Sequence, residues 1–287
     1  MSVAPADEPR LACVIGWPAK HSRSPLIHRH WLKQYGIAGD YRIEEVAPED
    51  FETFLTGLTD NGYVGCNVTV PHKLAAYRLV ARRDDTAEAL GAVNTVWYEN
   101  GELNGANTDV HGFLASLDAG APGWDADLAR AVVLGAGGAA RGIVHGLISR
   151  GVTRIDVVNR TAGRTAALVD DFGPAVAGHG WAGLQGVLEG ARLLVNTTSL
   201  GMAGAPPLDV DLAPLAADAV VTDIVYVPLE TGLIASARKR SLATVDGLGM
   251  LLHQAVPGFE RWFGVRPQVT DELRAILVAD IEGRRCS

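Results

Sequence analysis

Short apolar runs alternate with amphipathic stretches along the first third of the chain. Apolar runs bounded by turn residues predict buried strands, at residues 11–15, 41–46, 63–69 and 92–98. Amphipathic stretches predict the helices between them, at residues 24–35 and 48–58 and from Pro71 onward. The dipeptide Asn100-Gly101 predicts a two-residue hairpin that leads into residues 102–104.

Helix boundaries in this region carry their own signals. Ser24 followed by Pro25 is typical of a helix start, with the serine hydroxyl as N-cap and proline at the first helical position. Gly36 is typical of a helix end. Pro71 is expected to open the next helix and to place Lys73 in its first turn.

The pattern changes after Asp109, where short strands begin to alternate with helices. The strands are predicted at residues 131–134, 154–158, 193–196, 220–225 and 243–245. The helices are predicted at residues 113–117, 139–150, 164–172, 248–263 and 270–281, with a joint at 121–123. Such alternation is typical of a parallel sheet with helices on both faces. We therefore predict an α/β fold.

A glycine-rich turn at residues 132–141, Val-Val-Leu-Gly-Ala-Gly-Gly-Ala-Ala-Arg, joins a predicted strand to a predicted helix. In that context Gly135 permits a tight turn, Gly137 lets a pyrophosphate approach the backbone, and the helix N-terminus attracts the anion. Any tight strand–helix turn can use a glycine triplet, but the flanking strand, helix and next strand favour dinucleotide binding. The candidate contacts are Gly135, Ala136, Gly137, Gly138 and Ala139.

The end of the following strand indicates which dinucleotide binds. NAD sites usually place Asp or Glu there, about 20 residues on, to hold the ribose hydroxyls. This chain has Asn159-Arg160-Thr161 instead, with Arg164 one helical turn further on. Guanidinium groups and a hydroxyl bind a 2′-phosphate, which a carboxylate would repel. The alternative is that both arginines are solvated charges at a helix start, but their position at the strand edge favours NADP.

Polar residues collect in the loops and strand ends of the first third, at Ser22, Ser24, Asn67, Thr69, Lys73, Asn94, Asn107 and Asp109. Taken singly, each has an ordinary structural explanation. Together they suit a small polyhydroxylated acid, and Asn67 and Thr69 share a strand face by the two-residue period. Reduction of a ketone needs a proton for the developing alkoxide, which Lys73 can give while Asp109 orients its ammonium.

Composition and charge narrow the function classes. The 287 residues suffice for two modest domains or one large one, and 48% hydrophobic with 20% charged residues is ordinary for a soluble globular protein. A net charge of −8 argues against a nucleic-acid or anionic-membrane partner.

Cys13, Cys66 and Cys286 lie far apart and favour neither a disulfide framework nor a zinc site, so a metal-free mechanism is preferred. The acidic start of the chain is not typical of a signal peptide, no apolar run is as long as a membrane span, and we expect a cytoplasmic protein.

Eight segments resemble the shikimate dehydrogenase family, in the order expected for it. They are residues 22–25 (Ser-Arg-Ser-Pro), 67–73 (Asn-Val-Thr-Val-Pro-His-Lys), 91–95 (Gly-Ala-Val-Asn-Thr), 107–109 (Asn-Thr-Asp), 135–141, 159–161, 246–250 (Asp-Gly-Leu-Gly-Met) and Gln254. The resemblance covers residues 11–263. It implies NADPH-dependent, reversible reduction of 3-dehydroshikimate to shikimate, a step of aromatic amino acid and chorismate biosynthesis. The expected partner is this small-molecule substrate, and whether the protein is a monomer or a homodimer stays open.

The resemblance also implies the domains and the residue roles. An α/β substrate domain with a mostly parallel sheet would comprise residues 1–111 and 248–287, and a Rossmann-type NADP domain would comprise residues 112–247, with the cleft between them. Lys73 and Asp109 would be the catalytic pair, and Ser22 and Ser24 would bind the substrate carboxylate. The ring hydroxyls would be held by Asn67, Thr69, Asn94, Asp109 and Gln254. Tyr226 and Gly247 would line the nicotinamide and substrate cleft.

The chain also departs from the family pattern. Ala106 stands where many members have Asp, Val110-His111 replaces a frequent glycine, and Ala140 replaces a common serine. His111 is expected to be structural, although it lies near the candidate site. Three alternatives stay open: a quinate/shikimate dehydrogenase that prefers NAD, a paralogue acting on aminoshikimate or an unknown acid, and a non-catalytic NADP-binding regulator. The last is expected to lack Lys73 or Asp109, and both are present.

Overall fold

The computed structural model describes residues 9–283, which fold as two compact units. The first unit comprises the described chain up to Thr108 together with Gln254–Asp280, and the second comprises Asp109–His253 with the last turn of the final helix. The corresponding boundaries predicted from the sequence fall after residues 111 and 247. Two features of the sequence lie outside the described residues. They are the acidic chain start, which is not typical of a signal peptide, and Cys286.

The first unit is built on a six-stranded sheet. Its strands are β1 (Arg10–Gly16), β2 (Gly39–Glu45), β3 (Tyr63–Val68), β4 (Arg82–Arg83), β5 (Thr95–Glu99) and β6 (Glu102–Ala106). Its helices are α1 (Ser24–Tyr35), α2 (Phe51–Thr56), α3 (Lys73–Leu79) and α4 (Asp85–Leu90). The strand order is β2-β1-β3-β5-β6-β4. The β1–β2, β1–β3 and β4–β6 pairs are parallel, and the β3–β5–β6 meander is antiparallel, so the sheet is mostly parallel as predicted.

The chain after residue 253 completes the core of this unit. Trp262 donates its indole N–H to the carbonyl of Val96 on β5 at 2.9 Å. Gly65 on β3 lies directly under that ring, because a Cβ built there would be 2.0 Å from the indole nitrogen. Trp31 of α1 likewise donates to the carbonyl of Gln268 at 3.0 Å. A glycine in a central strand therefore makes room for a tryptophan almost two hundred residues away in sequence.

The second unit is a parallel, doubly wound sheet. Its strands are β7 (Arg130–Leu134), β8 (Arg154–Asn159), β9 (Val176–Gly180), β10 (Leu193–Asn196), β11 (Val220–Asp223) and β12 (Ala243–Val245). Its helices are α5 (Asp109–Gly120), α6 (Gly138–Ser149), α7 (Ala162–Phe172), α8 (Leu184–Leu188) and α9 (Gly232–Lys239), followed by α10 (Gly247–Phe263) and α11 (Asp271–Gly283), which both extend across a unit boundary. The strand order β9-β8-β7-β10-β11-β12 is that of a dinucleotide-binding fold, with its topological switch point between β7 and β10.

Several sequence predictions of local structure were wrong or incomplete. Arg23, not Ser24, precedes the first helical residue of α1, and the Ser24 N–H donates to the Ser22 hydroxyl at 3.3 Å, so Ser22 satisfies an amide at the helix start. Pro71 does not open α3: it follows a cis peptide bond, in a turn that ends where Lys73 begins the helix. The Asn100-Gly101 hairpin is confirmed, with both residues at positive φ.

Other elements differ in length from those predicted by the sequence, or were not predicted. The helix predicted at 48–58 is only Phe51–Thr56, the strand at 92–98 begins at Thr95, and the helix at 113–117 extends over Asp109–Gly120. The sequence reasoning missed β4, α4, β9, α8 and α9, which are short or weakly apolar. None of the helices within residues 9–283 has both the length and the apolar character needed to cross a bilayer.

Candidate active site

The two candidate carboxylate-binding serines are neighbours in the segment that joins β1 to α1. Their hydroxyl oxygens lie 3.2 Å apart, and Ser24 is 6% exposed. The preceding turn is held by Glu45 at the end of β2, whose carboxylate accepts the N–H groups of Ala19 at 2.9 Å and Lys20 at 3.2 Å. Those two bonds lower the pKa of the Glu45 carboxyl. The turn therefore presents two hydroxyl groups side by side from an anchored backbone.

Asn67 lies near the end of β3, and its amide is oriented by its neighbours. Nδ2 donates to the carbonyl of Asn94 at 3.2 Å and to the hydroxyl of Thr95 at 3.1 Å. Oδ1 accepts from the hydroxyl of Tyr41 at 2.6 Å. Because a carbonyl can only accept, the nitrogen must face Asn94, and both amide hydrogens are used. Asn67 can therefore offer a ligand one lone pair of Oδ1 and would accept a hydrogen bond from it.

Tyr41 is a member of this network that the sequence reasoning missed. Its ring is fully buried, and burial raises the pKa of its phenol. The hydroxyl interacts with both Asn67 and Ser24. Tyr41 thus links the serines of the β1–α1 segment to the amide on β3. No local sequence signal identifies Tyr41, because it lies on β2 while its partners Ser24 and Asn67 belong to α1 and β3.

Asn94 connects the same network to the chain before Asp109. Its Oδ1 accepts the backbone N–H of Thr108 at 2.8 Å and the hydroxyls of Thr95 and Thr108 at 3.0 and 3.1 Å. Asn94 is 3% exposed. The side chain therefore fixes the backbone directly before Asp109, the first residue of α5.

Thr69 and Lys73 follow β3 in the sequence. Thr69 continues the pairing with β1 through an N–H donated to Ile15 at 2.9 Å. Lys73 is half-buried, begins α3, and accepts the N–H of Val93 on its carbonyl at 3.0 Å. Asn107 donates its side-chain N–H to the carbonyl of Ala92 at 3.0 Å. Hydrogen bonds thus link the backbone of Lys73 to the segment that carries Asn94, and that segment to Thr108.

The glycine turn of the second unit has the geometry required to admit an anion. Gly135 adopts φ +103°, and a Cβ there would be 2.6 Å from the hydroxyl of Thr197 after β10. Gly137 and Gly138 are exposed, and a Cβ on either would meet nothing within 4 Å. The N-terminus of the twelve-residue helix α6 follows, where the first amides have no intrahelical acceptor. The turn therefore leaves open space beside a helix N-terminus at the switch point of the sheet, as a dinucleotide pyrophosphate requires.

Arg160 and Arg164 lie where the sequence pattern suggested, at the carboxyl end of β8 and in the first turn of α7. Both are exposed, and neither has an ion-pair partner within residues 9–283. Asn159 donates to the carbonyl of Thr161 at 3.0 Å and so shapes the turn between them. The carboxylate of β8, Asp156, is buried and bound to Arg130 at 2.7 Å. Two unpaired guanidinium groups at this edge suit a phosphate.

A buried polar network in the second unit was also missed. Asp223 ends β11 and is 1% exposed; it accepts from Asn196 at 2.9 Å, from the Val225 N–H at 3.0 Å and from the Thr231 hydroxyl at 2.8 Å. Burial raises the pKa of this carboxyl, while its three donors oppose that change. Asn196 in turn accepts from Thr198. The network fixes the loops after β10 and β11, and the second of these carries Tyr226.

Gly247 lies close to that second loop. A Cβ on Gly247 would be 2.3 Å from the carbonyl oxygen of Ile224, so only glycine lets α10 begin there. The start of α10 therefore packs against the backbone of Ile224 and Val225, directly before Tyr226. His111 and His253 are also neighbours in this unit, and burial, with the nearby His111, lowers the pKa of His253. Gln254 follows immediately and belongs to the first unit.

The candidates are thus divided between two sets of residues. The first unit joins Ser22, Ser24, Asn67 and Asn94 in one hydrogen-bonded group, with Lys73 attached through its backbone. The second unit carries Asp109, Tyr226, Gly247 and the glycine turn. Within residues 9–283, no group of three or more His, Cys, Asp or Glu side chains is arranged to hold a metal ion.

Comparison with known proteins relates these sites to a family. Three family models match: the shikimate dehydrogenase substrate binding domain over residues 14–96, shikimate/quinate 5-dehydrogenase over 121–201, and the shikimate 5′-dehydrogenase C-terminal domain over 247–276. The shikimate dehydrogenase (NADP(+)) of Nitrobacter hamburgensis is 58% identical over 272 residues, which are 95% of each chain.

Solved structures agree with this assignment. Quinate dehydrogenase from Corynebacterium glutamicum, in complex with NAD, is 33% identical and superposes with a TM-score of 0.87 over 94% of this chain and 99% of its own. Shikimate 5-dehydrogenase from Thermus thermophilus, in complex with NADP(H) and shikimate, is 35% identical with a TM-score of 0.80 over 90% and 95%. The resemblance predicted from the sequence is confirmed, and the chain belongs to the shikimate dehydrogenase family.

Proposed function

We propose that this chain catalyses the reversible, NADPH-dependent reduction of 3-dehydroshikimate to shikimate. The observation that carries the proposal is the hydrogen-bonded group of hydroxyls and amides formed by Ser22, Ser24, Asn67 and Asn94, with Lys73 at the adjoining helix start. Hydroxyls and oriented amides are what a small polyhydroxylated carboxylic acid requires of a site. The identity to relatives that are NADP-dependent shikimate dehydrogenases supports the same reaction.

The substrate-binding roles follow from the donors and acceptors that remain. The two serine hydroxyls can donate to the carboxylate of the substrate. Asn67 accepts from a ring hydroxyl through Oδ1, because its two N–H groups are engaged. Thr69, Asn94 and Gln254 are proposed to bind the other hydroxyls. We assign substrate binding to the unit that contains these residues, and cofactor binding to the unit with the glycine turn.

Lys73 and Asp109 are the proposed acid–base pair. NADPH, held by the second unit, would supply the hydride for the carbonyl carbon of the substrate. The ammonium of Lys73 gives a proton from Nζ to the carbonyl oxygen, and the C=O bond becomes a secondary alcohol. In the reverse direction the neutral amine of Lys73 takes that proton back. Asp109 is proposed to orient the ammonium and to stabilise its charge.

The residues of the second unit fit NADP. The exposed Gly137 and Gly138 at the start of α6 can receive the pyrophosphate. Arg160, Arg164 and Thr161 can receive the 2′-phosphate, and Asn159 shapes their turn. Ala136 and Ala139 complete the turn around the pyrophosphate, and Tyr226 and Gly247 are proposed to line the nicotinamide side. We further propose a cytoplasmic location, and either a monomer or a homodimer.

Initial rates with shikimate and quinate, each assayed with NADP and with NAD, test this proposal. We expect a high kcat/KM for shikimate with NADP and at least tenfold lower values for the other three pairs. Dominant activity with quinate or NAD would instead assign the chain to the broader quinate/shikimate group. No turnover with any pair, despite measurable NADPH binding, would leave a regulator or an enzyme for another acid.

A further inference from the structure

His72 precedes Lys73 and is one of the few buried histidines of the first unit. It is 2% exposed, whereas its neighbours along the chain, Pro71 and Leu74, are exposed and Lys73 is half-buried. In the sequence it is a polar residue beside a lysine, and it is not one of the candidate site residues. Its burial among apolar residues therefore needs a physical reason.

Two contacts hold the imidazole ring. Nε2 lies 2.7 Å from the carbonyl oxygen of Val46, directly after β2. Because that oxygen can only accept, Nε2 carries the hydrogen. The ring also stacks on Phe51, the first residue of α2, with centroids 4.3 Å apart and planes within 3°. Val46 is itself attached to β1, since its N–H donates to the carbonyl of Gly16 at 3.2 Å.

The start of α3 has no side-chain cap. The helix has seven residues, and no acidic residue lies in its first turn. Backbone hydrogen bonds hold this turn as well. The Trp17 N–H donates to the Val70 carbonyl at 3.1 Å, the His72 N–H donates to Thr69 and the His72 carbonyl accepts from Ala76, both at 2.9 Å, and the Lys73 carbonyl accepts from Val93 at 3.0 Å. The His72 side chain thus adds a direct link from this turn to the end of β2 and to the first residue of α2.

We propose that His72 is a positioning residue for Lys73. By donating to Val46 and stacking on Phe51, it fixes the backbone from which the Lys73 side chain extends, and so sets the place at which Nζ delivers its proton. This inference rests on the proposed function, because it assigns to His72 an effect exerted through the catalytic lysine. Displacement of a reacting group by about 1 Å can reduce a rate by about 10²-fold.

Two variants separate the contacts of the ring. His72→Phe keeps the stack on Phe51 but loses the donor to Val46, whereas His72→Gln can place an amide N–H near the position of Nε2. We expect His72→Phe to lower kcat by between about tenfold and 10²-fold, with little change in the shikimate KM or the NADPH Kd. His72→Gln should recover most of that loss. His179→Phe is the matched control, since it removes a histidine bond of 2.8 Å to Asp156 in the second unit and should leave kcat unchanged.

A double-mutant cycle with Lys73→Ala shows whether the effect passes through the lysine. We expect His72→Phe to lower kcat in the wild-type background and to have no further effect in the Lys73→Ala background. Equal fractional losses in both backgrounds, or a normal kcat for His72→Phe beside a slow Lys73→Ala, would overturn the role of His72 alone. A near-normal rate for Lys73→Ala would overturn the proton-transfer role of Lys73 and the positioning role with it. Melting temperatures of all variants identify any loss of rate that follows from unfolding.

Discussion

The first unit presents its candidate site as side chains, and the second presents its candidate site largely as backbone. Ser22, Asn67 and Asn94 come from three different segments and meet through hydrogen bonds that the fold creates. The glycine turn comes from one continuous stretch, with its φ of +103° at Gly135 and the open space beside Gly137. A side-chain site can be changed one side chain at a time, although at the buried Asn67 and Asn94 such a change also removes hydrogen bonds of the fold. A backbone site is changed only by altering the turn itself.

The comparison also separates the residues proposed to act in catalysis from those proposed to bind the cofactor. The side-chain site contains Lys73, the group proposed to move a proton. The glycine turn and the arginines after β8 are proposed only to bind the pyrophosphate and the 2′-phosphate of the cofactor. Substitutions in the first set should therefore change kcat or the substrate KM. Those in the second set should change cofactor binding or stability.

Lys73→Ala should have the largest effect. Loss of a general acid–base group typically costs 10²- to 10⁴-fold, so we expect kcat to fall by about 10³-fold with the NADPH Kd nearly unchanged. Steady-state rates and fluorescence titration with NADPH measure the two quantities. Turnover close to that of the wild type would exclude a catalytic role and would place the chemistry elsewhere.

Arg160→Ala should weaken NADP binding while sparing NAD. Hydrogen bonds to charged groups contribute about 1.5–3 kcal/mol, which corresponds to a loss of about 10- to 100-fold in NADP affinity. Arg164→Ala, in the first turn of α7, is the matched comparison and should show a similar preference. Calorimetric titration with both dinucleotides makes the measurement. An equal loss for NAD and NADP would contradict a 2′-phosphate site.

Gly135→Ala and Gly137→Ala test the backbone site at two positions. Gly135→Ala should destabilise the protein by about 1–3 kcal/mol, because alanine is strained at its φ and its Cβ would meet Thr197. Gly137→Ala should leave the melting temperature unchanged, since its Cβ meets no atom, yet it should weaken NADPH binding by occupying the path of the pyrophosphate. Tight NADPH binding by Gly137→Ala would show that the pyrophosphate lies elsewhere.

Ser22→Ala should have the smallest effect. Loss of one hydrogen bond of about 1 kcal/mol predicts a rise of about fivefold in the shikimate KM, with kcat and the NADPH Kd unchanged. Initial rates over a range of shikimate concentrations check this. An unchanged KM would rule out a carboxylate contact at Ser22.

The sequence predicted features whose causes lie close together along the chain. The glycine turn, the Asn100-Gly101 hairpin and the arginines after β8 are each defined by a few consecutive residues. The strand–helix alternation after Asp109 likewise predicted the parallel sheet of the second unit. Short elements such as β4, α8 and α9 were missed because tertiary contacts, rather than local periodicity, stabilise them.

By itself the sequence determined the family, the α/β class and the residue types available for binding and proton transfer. Only the tertiary structure decided that Tyr41 orients Asn67, that His72 ties the start of α3 to β2, and that Asp223 joins the loops after β10 and β11. Each of these contacts joins residues that are distant in sequence or that belong to different elements. Their energy depends on burial and on hydrogen-bond geometry, which exist only after the strands have paired.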